Sequence, residues 1–220
     1  MATLLIADDH PLYRDAVRGA LINSFKQLEL LELLEAADLN ETVEMLHQNN
    51  HIDLLLLDLH MPGSGDLFGL IHIRKLFPDL PVAVISGLDD PDIISKVINL
   101  GAMGFVPKTT SAVQIAQAVT SMLEGDLWLP ESYATDDVEL DNEFAELALK
   151  VASLTPAQYK VLCYMRDGLL NKQIGYNLDI ATATVKAHVT AIFKKLHINN
   201  RTQAVLIASR LQLAPPEVGL

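Results

Sequence analysis

The chain has 220 residues, half of them hydrophobic, with a single cysteine and a formal net charge of −12. That length holds one large domain or two ordinary ones. The lone Cys163 excludes an internal disulfide and fits a reducing compartment, and no apolar run approaches the roughly 18 residues needed to cross a bilayer.

The opening Met1–Ala7 lacks the basic start and small-residue cleavage site of a signal peptide, so a cytoplasmic protein with no membrane partner is expected. The charge is uneven. Residues 1–150 carry 8 Lys+Arg against 25 Asp+Glu, whereas residues 151–220 carry 8 against 3. Such asymmetry predicts two domains with different partners, the basic one suited to a polyanion, although a solvated face is the ordinary explanation of a charge run.

In chain order, short apolar runs alternate with amphipathic ones. Strands are predicted over Thr3–Asp8, Leu30–Ala36, Asp53–Asp58, Val82–Ser86 and Gly104–Pro107. Helices are predicted over Leu12–Ser24, Asn40–Gln48, Gly65–Phe77, Asp92–Leu100 and Ala112–Glu124. Asp90-Pro91 reads as a capped helix start. Leu30–Ala36 is ambiguous, because its Leu/Glu pattern also suits a helix. Five β/α alternations imply a parallel sheet with helices on both faces.

Residues 126–150 hold eight acids and one lysine. They read as a linker with a short helix over Asn142–Val151. From Leu154 the pattern is helical. Thr155-Pro156-Ala157-Gln158 offers a capping box, and Asn171 a cap for Lys172–Leu178. Further helices are expected over Thr182–Leu196 and Thr202–Leu211.

Asp8 and Asp9 end one apolar strand and Asp58 ends another, with Ser86 and Lys108 following two more. In an open parallel sheet, ligands gather at the carboxyl ends of strands. Three carboxylates without a counter-ion repel one another, which suits a hard cation such as Mg²⁺ with oxygen ligands. Asp58 is then a nucleophile able to form an acyl-phosphate, Lys108 a fixed positive charge, and Ser86 a hydroxyl donor to a phosphoryl oxygen. Taken singly, each acid could equally be a loop residue or a helix cap.

These residues resemble the receiver domain of bacterial response regulators. The resemblance covers about residues 2–124, through Asp8-Asp9-His10, Asp58-Leu-His-Met-Pro-Gly63, Ser86-Gly87 and Gly101-Ala-Met-Gly-Phe-Val-Pro-Lys108. It implies a flavodoxin-like (βα)5 fold, α/β in class, with strand order 2-1-3-4-5. It also implies that Asp58 accepts a phosphoryl group from a sensor histidine kinase. Asp9, Asp58 and the carbonyl of His60 would bind Mg²⁺ directly, and Asp8 through water. Phe105 stands where the family carries its rotating switch aromatic, commonly Tyr, and a phenyl ring cannot donate a hydrogen bond. The side chain of His60, two residues beyond the acceptor, has two readings: an influence on how quickly water reaches the phosphate and, the readier one, a plain exposed loop histidine. Pro107 is tolerable if its strand lies at the sheet edge.

In the last third, Val185, Val189, Ile192 and Leu196 form one apolar stripe. The opposite face shows Ala183, Lys186, Ala187, Thr190, Ala191 and Lys194, small and basic enough to approach a DNA groove. Together with Asn171–Ile180 this makes a helix-turn-helix candidate in an all-α second domain. Leu154–Ala208 resembles the four-helix DNA-binding domain of NarL/LuxR-type regulators, through Leu154-Thr155, Val161-Leu162, Gly168, Asn171-Lys172, Thr184-Val185-Lys186, Lys195-Leu196 and Asn200-Arg201. The resemblance implies that Lys186, Ala187 and Thr190 face base edges, while Lys172, Thr184 and Lys194 serve the backbone. His188 flanks the stripe and packs at least as readily as it contacts DNA.

Three departures stand out. Ala157 and Gln158 replace the usual Arg-Glu, removing a familiar ion pair. Ala181 replaces the usual Ser cap. Thr190 occupies a place often held by a base-reading Lys.

The reading is a two-component response regulator, not a conventional enzyme, with a receiver at 1–125, a linker at 126–150 and a helix-turn-helix domain at 151–220. Its expected partners are a histidine kinase, promoter DNA, RNA polymerase and a second copy in a phosphorylation-dependent homodimer. Phosphorylation is expected to release a recognition helix that the receiver or linker covers at rest. Two rivals carry different consequences. An aspartyl phosphohydrolase would want an acid where His60 stands and has no evident cap domain. A phosphorylation-independent regulator would use its receiver only for dimerisation or partner binding.

Overall fold

The computed structural model describes residues 2–25, 31–65, 67–131, 133 and 141–213. The expected strand residue Leu30, the helix residue Asp66, residues 132 and 134–140 of the linker and residues 214–220 of the second domain lie outside them.

Five parallel strands carry the first half: β1 (Ala2–Ala7), β2 (Leu31–Ala36), β3 (Leu54–Asp58), β4 (Val82–Ser86) and β5 (Gly104–Pro107). They pair in the order β2-β1-β3-β4-β5, the flavodoxin-like order with its reversal between β1 and β3. Between them run α1 (Pro11–Phe25), α2 (Leu39–Gln48), α3 (Leu67–Leu76), α4 (Pro91–Asn99) and α5 (Ala112–Leu123).

Strand side chains alternate between the two faces. Leu4, Ile6, Leu54, Leu56, Ala83, Ile85 and Val106 pack with Val17 and Leu21 of α1 and with α5. Leu5, Ala7, Leu55, Leu57, Val82, Val84 and Phe105 pack on the other face, with α2, α3 and α4. Strands buried on both sides need near-continuous apolar runs, which is what Leu54–Leu57 supplies.

The ambiguous Leu/Glu segment is the edge strand β2, whose residues are mostly half-buried. Its Glu35 is satisfied in place. Arg14 Nε donates to Glu35 Oε2 at 3.0 Å, and Arg18 also pairs with Glu35. Burial alone would raise the Glu35 pKa, but the two guanidinium groups of α1 outweigh it and hold the carboxyl below its ordinary range.

β5 is the last of the five strands, yet its outer side is partly covered. Trp128 bridges Gly104, with Phe105 N–H donating to Trp128 O at 3.0 Å and Trp128 N–H to Met103 O at 3.1 Å. A Cβ at Gly104 would meet Trp128 O at 3.2 Å and Met122 Sδ at 2.4 Å, so only glycine allows this approach. The start of the predicted linker is therefore tied to the backbone of Phe105.

The remaining helices are α6 (Asn142–Ala152), α7 (Pro156–Arg166), α8 (Asn171–Asn177), α9 (Thr182–Leu196) and α10 (Arg201–Arg210). The Thr155/Gln158 capping box forms as expected. Asn171 does not cap: Leu170 holds the cap position, and Gln173 Oε1 accepts the Leu170 N–H at 2.7 Å.

Ala181 leaves the start of α9 without a side-chain cap, and Thr182 is the first residue within the helix. Ala181 already has extended cap geometry, φ −63° and ψ 144°. Ala181→Ser is therefore expected to stabilise the fold by about 1 kcal/mol, read as a shifted urea midpoint at constant slope. An unchanged midpoint would mean that solvent caps this end equally well.

α6, α7 and the segment after α10 also meet the first half of the chain. Phe68 of α3 packs on Tyr159 of α7 with ring centroids 3.9 Å apart. Lys75 Nζ donates to Ala152 O at 2.8 Å, Asp141 N–H to Asn99 Oδ1 at 2.6 Å, and Gln212 Nε2 to Asp92 Oδ2 at 3.2 Å. α6 lies between α3 and α4 on one side and α9 on the other.

Candidate functional site

The parallel sheet brings all the predicted acids to one end. Asp58 closes β3, while Asp8 and Asp9 follow β1 directly. Asp8 and Asp58 are each 1% exposed, and Ser86 is fully buried. Ligand atoms of Asp8, Asp9, His10 and Asp58 all lie within 4.8 Å of one another.

Lys108 reaches across from the far strand. Its Nζ meets Asp8 Oδ2 at 2.7 Å and Asp58 Oδ2 at 2.8 Å. Burial alone would push this ammonium towards neutrality. Hydrogen bonds and charge from Asp58 and Asp8 outweigh it, and the pKa stands above the ordinary lysine value. Lys108 is thus a permanent cation serving two buried carboxylates.

The backbone fixes the rest. His60 N–H donates to Asp58 Oδ1 at 3.2 Å, Lys108 N–H to Ser86 O at 2.7 Å, and Leu88 N–H to Ser86 Oγ at 3.1 Å. Ser86 Oγ spends a lone pair on Leu88, which leaves its hydroxyl proton as the donor of interest. A Cβ at Gly87 would meet nothing within 4 Å, so there is open space beside Ser86. Phe105 lies fully buried against the apolar side of the sheet. The side chain of His60 is exposed, at the mouth of a crevice shared with Leu88, Ile93, Arg166, Ser209 and Gln212.

His10 received no role from sequence, yet it belongs to the cluster. Its Nδ1 lies 2.6 Å from Asp9 Oδ1 and 3.1 Å from Asp8 Oδ1, and its N–H donates to Asp8 Oδ1 at 2.8 Å. Its place directly after the acidic pair was the only available signal. The donor set fits a hard divalent cation: three carboxylates converge with one lysine to offset them, and the exposed His10 ring offers a further ligand atom.

In the second half, α8 and α9 form a helix-turn-helix. Ile180 N–H donates to Gly175 O at 2.9 Å, and a Cβ at Gly175 would stand 2.7 Å from Ile180 O. Glycine is therefore required where the two helices meet. Val185, Ile192 and Leu196 are buried, with Val189 packed beside them. The opposite face carries Ala183, Lys186, Ala187, Thr190, Ala191 and Lys194, of which all but the half-buried Ala191 stand open to solvent, as do Thr184 and the neighbouring Lys172. His188 is half-buried, and Thr190 Oγ1 donates back to Lys186 O at 3.0 Å.

Gln158 replaces the missing ion pair with a neutral acceptor. Lys195 Nζ donates to Gln158 Oε1 at 2.8 Å and to Ser153 O at 2.6 Å. Of the expectation that the receiver or linker covers α9, the receiver part does not hold: among the described residues its basic face is open. α6, at the end of the predicted linker, and α7 lie against its other sides, and linker residues 134–140 lie outside the described residues.

A receiver-type acidic pocket and a helix-turn-helix on one chain define a transcription regulator of the response-regulator class. Residues 4–120 match the response regulator receiver domain and residues 152–208 the luxR family of bacterial regulatory proteins. The chain belongs to the NarL/LuxR family of response regulators.

It is 40% identical over 213 residues to the glycerol metabolism activator of Pseudomonas putida, covering 94% of this chain and 95% of that one. It is 30% identical over 206 residues to the nitrate/nitrite response regulator protein NarL of Escherichia coli, covering 93% and 94%. Among solved structures it is similar to RcsB of Salmonella enterica serovar Typhimurium, bound to a promoter in the presence of the phosphomimetic BeF3−. That match has 25% identity and a TM-score of 0.56, covering 96% of this chain and 98% of that one. No described helix is long and apolar enough to cross a membrane.

Proposed function

We propose that Asp58 accepts a phosphoryl group from a phosphohistidine of a sensor kinase, and that this controls dimerisation and promoter binding. The observation that carries the reading is the buried Asp8–Lys108–Asp58 bridge beside Ser86. In the transfer, an Asp58 carboxylate oxygen forms a bond to phosphorus as the bond from phosphorus to the donor breaks. The bonding pair leaves with the donor.

Lys108 and the Ser86 hydroxyl meet the phosphoryl oxygens, stabilising charge by position. Asp9, Asp58 and the His60 carbonyl would hold Mg²⁺, with Asp8 acting through water. When bound, that cation neutralises the transferring group. Phe105 is the proposed switch ring, already in its inward place.

The chain divides on this reading into a receiver at 1–125, a linker at 126–150 and a DNA-binding domain at 151–220. Lys186, Ala187 and Thr190 would face base edges, while Lys172, Thr184 and Lys194 would meet phosphates. Their exposure favours this assignment. Because the face is open in the docked form, phosphorylation would act on pairing of two copies over half-sites more than on unmasking. RNA polymerase would be met only at the promoter, and the protein would work in the cytoplasm.

Incubation with Mg²⁺ and acetyl phosphate is expected to add one phosphoryl mass, with a monomer-to-dimer shift in light scattering. No adduct would sink the phosphoacceptor reading in favour of a phosphorylation-independent regulator. Turnover of a phosphoester in excess would instead point to a hydrolase.

A further inference from the structure

Tyr13 stands in the first turn of α1, and its N–H donates to His10 O at 3.0 Å. The neighbouring Arg14 pins this turn, donating to Glu35 Oε2 at 3.0 Å and to Asp8 O at 2.5 Å. The ring of Tyr13 is thereby fixed against the pocket, with Lys108 Nζ 5.0 Å from its centroid. The ammonium is bounded by two carboxylates and an aromatic face.

The Tyr13 hydroxyl is buried and has no hydrogen-bond partner among the described residues. Burial, then the charges of Asp8 and Asp58, push its ionisation above the ordinary phenol range, so it remains neutral. A buried donor without an acceptor is unfavourable, and phenylalanine would avoid it. What the two residues share is the ring.

We infer that Tyr13 is a positioning residue for phosphoryl uptake, its ring holding the Lys108 ammonium at Asp58. This rests on the reading of Asp58 as phosphoacceptor. A lysine stem is flexible, and Lys108 has other directions to turn, towards the half-exposed Asp9 or solvent. The negative face of an aromatic ring attracts a cation, and its body excludes water. As negative charge passes to the phosphoryl oxygens, an ammonium already held at Asp58 has little distance to move. Loss of the ring should therefore slow transfer without weakening capture of the donor.

The test uses the full chain with Mg²⁺ and a range of acetyl phosphate concentrations, following the adduct by intact mass. Tyr13→Phe is expected to keep the wild-type rate within about twofold, while Tyr13→Leu lowers the maximal rate about tenfold at unchanged donor half-saturation. Tyr13→Met, long but without a ring, repeats the test if the leucine variant melts early, and its rate should fall alongside. A ringless variant as fast as wild type overturns the inference. So does an equal loss in Tyr13→Phe, which would move the role to the hydroxyl, or a change confined to half-saturation. If the wild type takes up no phosphoryl group, the phosphoacceptor reading itself fails, and that arm shows it before any variant is compared.

Discussion

Asp58→Asn is expected to abolish the phosphoryl adduct and to leave DNA affinity indifferent to acetyl phosphate. An amide oxygen is no nucleophile towards phosphorus at neutral pH, and no other described carboxylate in the cluster pairs with Lys108 except Asp8. The amide also removes one of the charges that would hold a cation. Stability should change little. Asp8 and Asp58 share one lysine, so Lys108 keeps Asp8 as a partner, while the substituted amide can still accept from Lys108 and from His60 N–H. Losing one of three clustered carboxylates also relieves repulsion among them, so the large cost of stranding a buried charge without a partner is not expected here. Intact mass and electrophoretic mobility shift, each with and without donor, read the two effects separately. A variant whose DNA affinity still rises with acetyl phosphate would place the response outside Asp58.

Much of this pocket was legible because a parallel sheet turns sequence into geometry. Every strand runs the same way, so residues just past each apolar run must converge at one end. Asp8, Asp58, Ser86 and Lys108 are brought together for that reason. The edge strand β2 was ambiguous because Leu31–Ala36 is not buried like the central strands. Its Glu35 needs Arg14 and Arg18 from a distant helix, and no period in the segment announces them.

His10 and Tyr13 escaped for a similar reason. Period marks the apolar face of a helix, but not the side chain of its first turn that folds back over a neighbouring loop. Asn171 misled in the opposite way. Gln173 already satisfies the Leu170 N–H, and Asn171 Oδ1 instead lies 3.4 Å from Arg201 Nη1. Least legible was the covering of one element by another. Nothing local to Trp128 tells that it docks on Gly104, and nothing local to Phe68 names Tyr159 as its partner.

That last contact has the second large expected consequence. Phe68 is 7% exposed, lying between Tyr159 of α7 and His72, whose ring stacks 5.6 Å away. Removing such a ring typically costs about 3 kcal/mol or more, and here the lost contact joins the two halves of the chain. The polar links that remain, Lys75 to Ala152, Asn99 to Asp141 and Asp92 to Gln212, lie nearer the surface and hold less.

Phe68→Ala is therefore expected to raise the undocked population roughly a hundredfold. Hydrogen exchange should report it as lost protection across α6, whose Phe144, Ala148 and Val151 are buried. Affinity for a single half-site should not change, because the basic face of α9 is open already. What should change is the response to a second half-site, since two freed domains can orient independently of their receivers. Tighter binding of a single half-site by Phe68→Ala would show that docking, despite the open face, keeps the receiver in the path of the duplex.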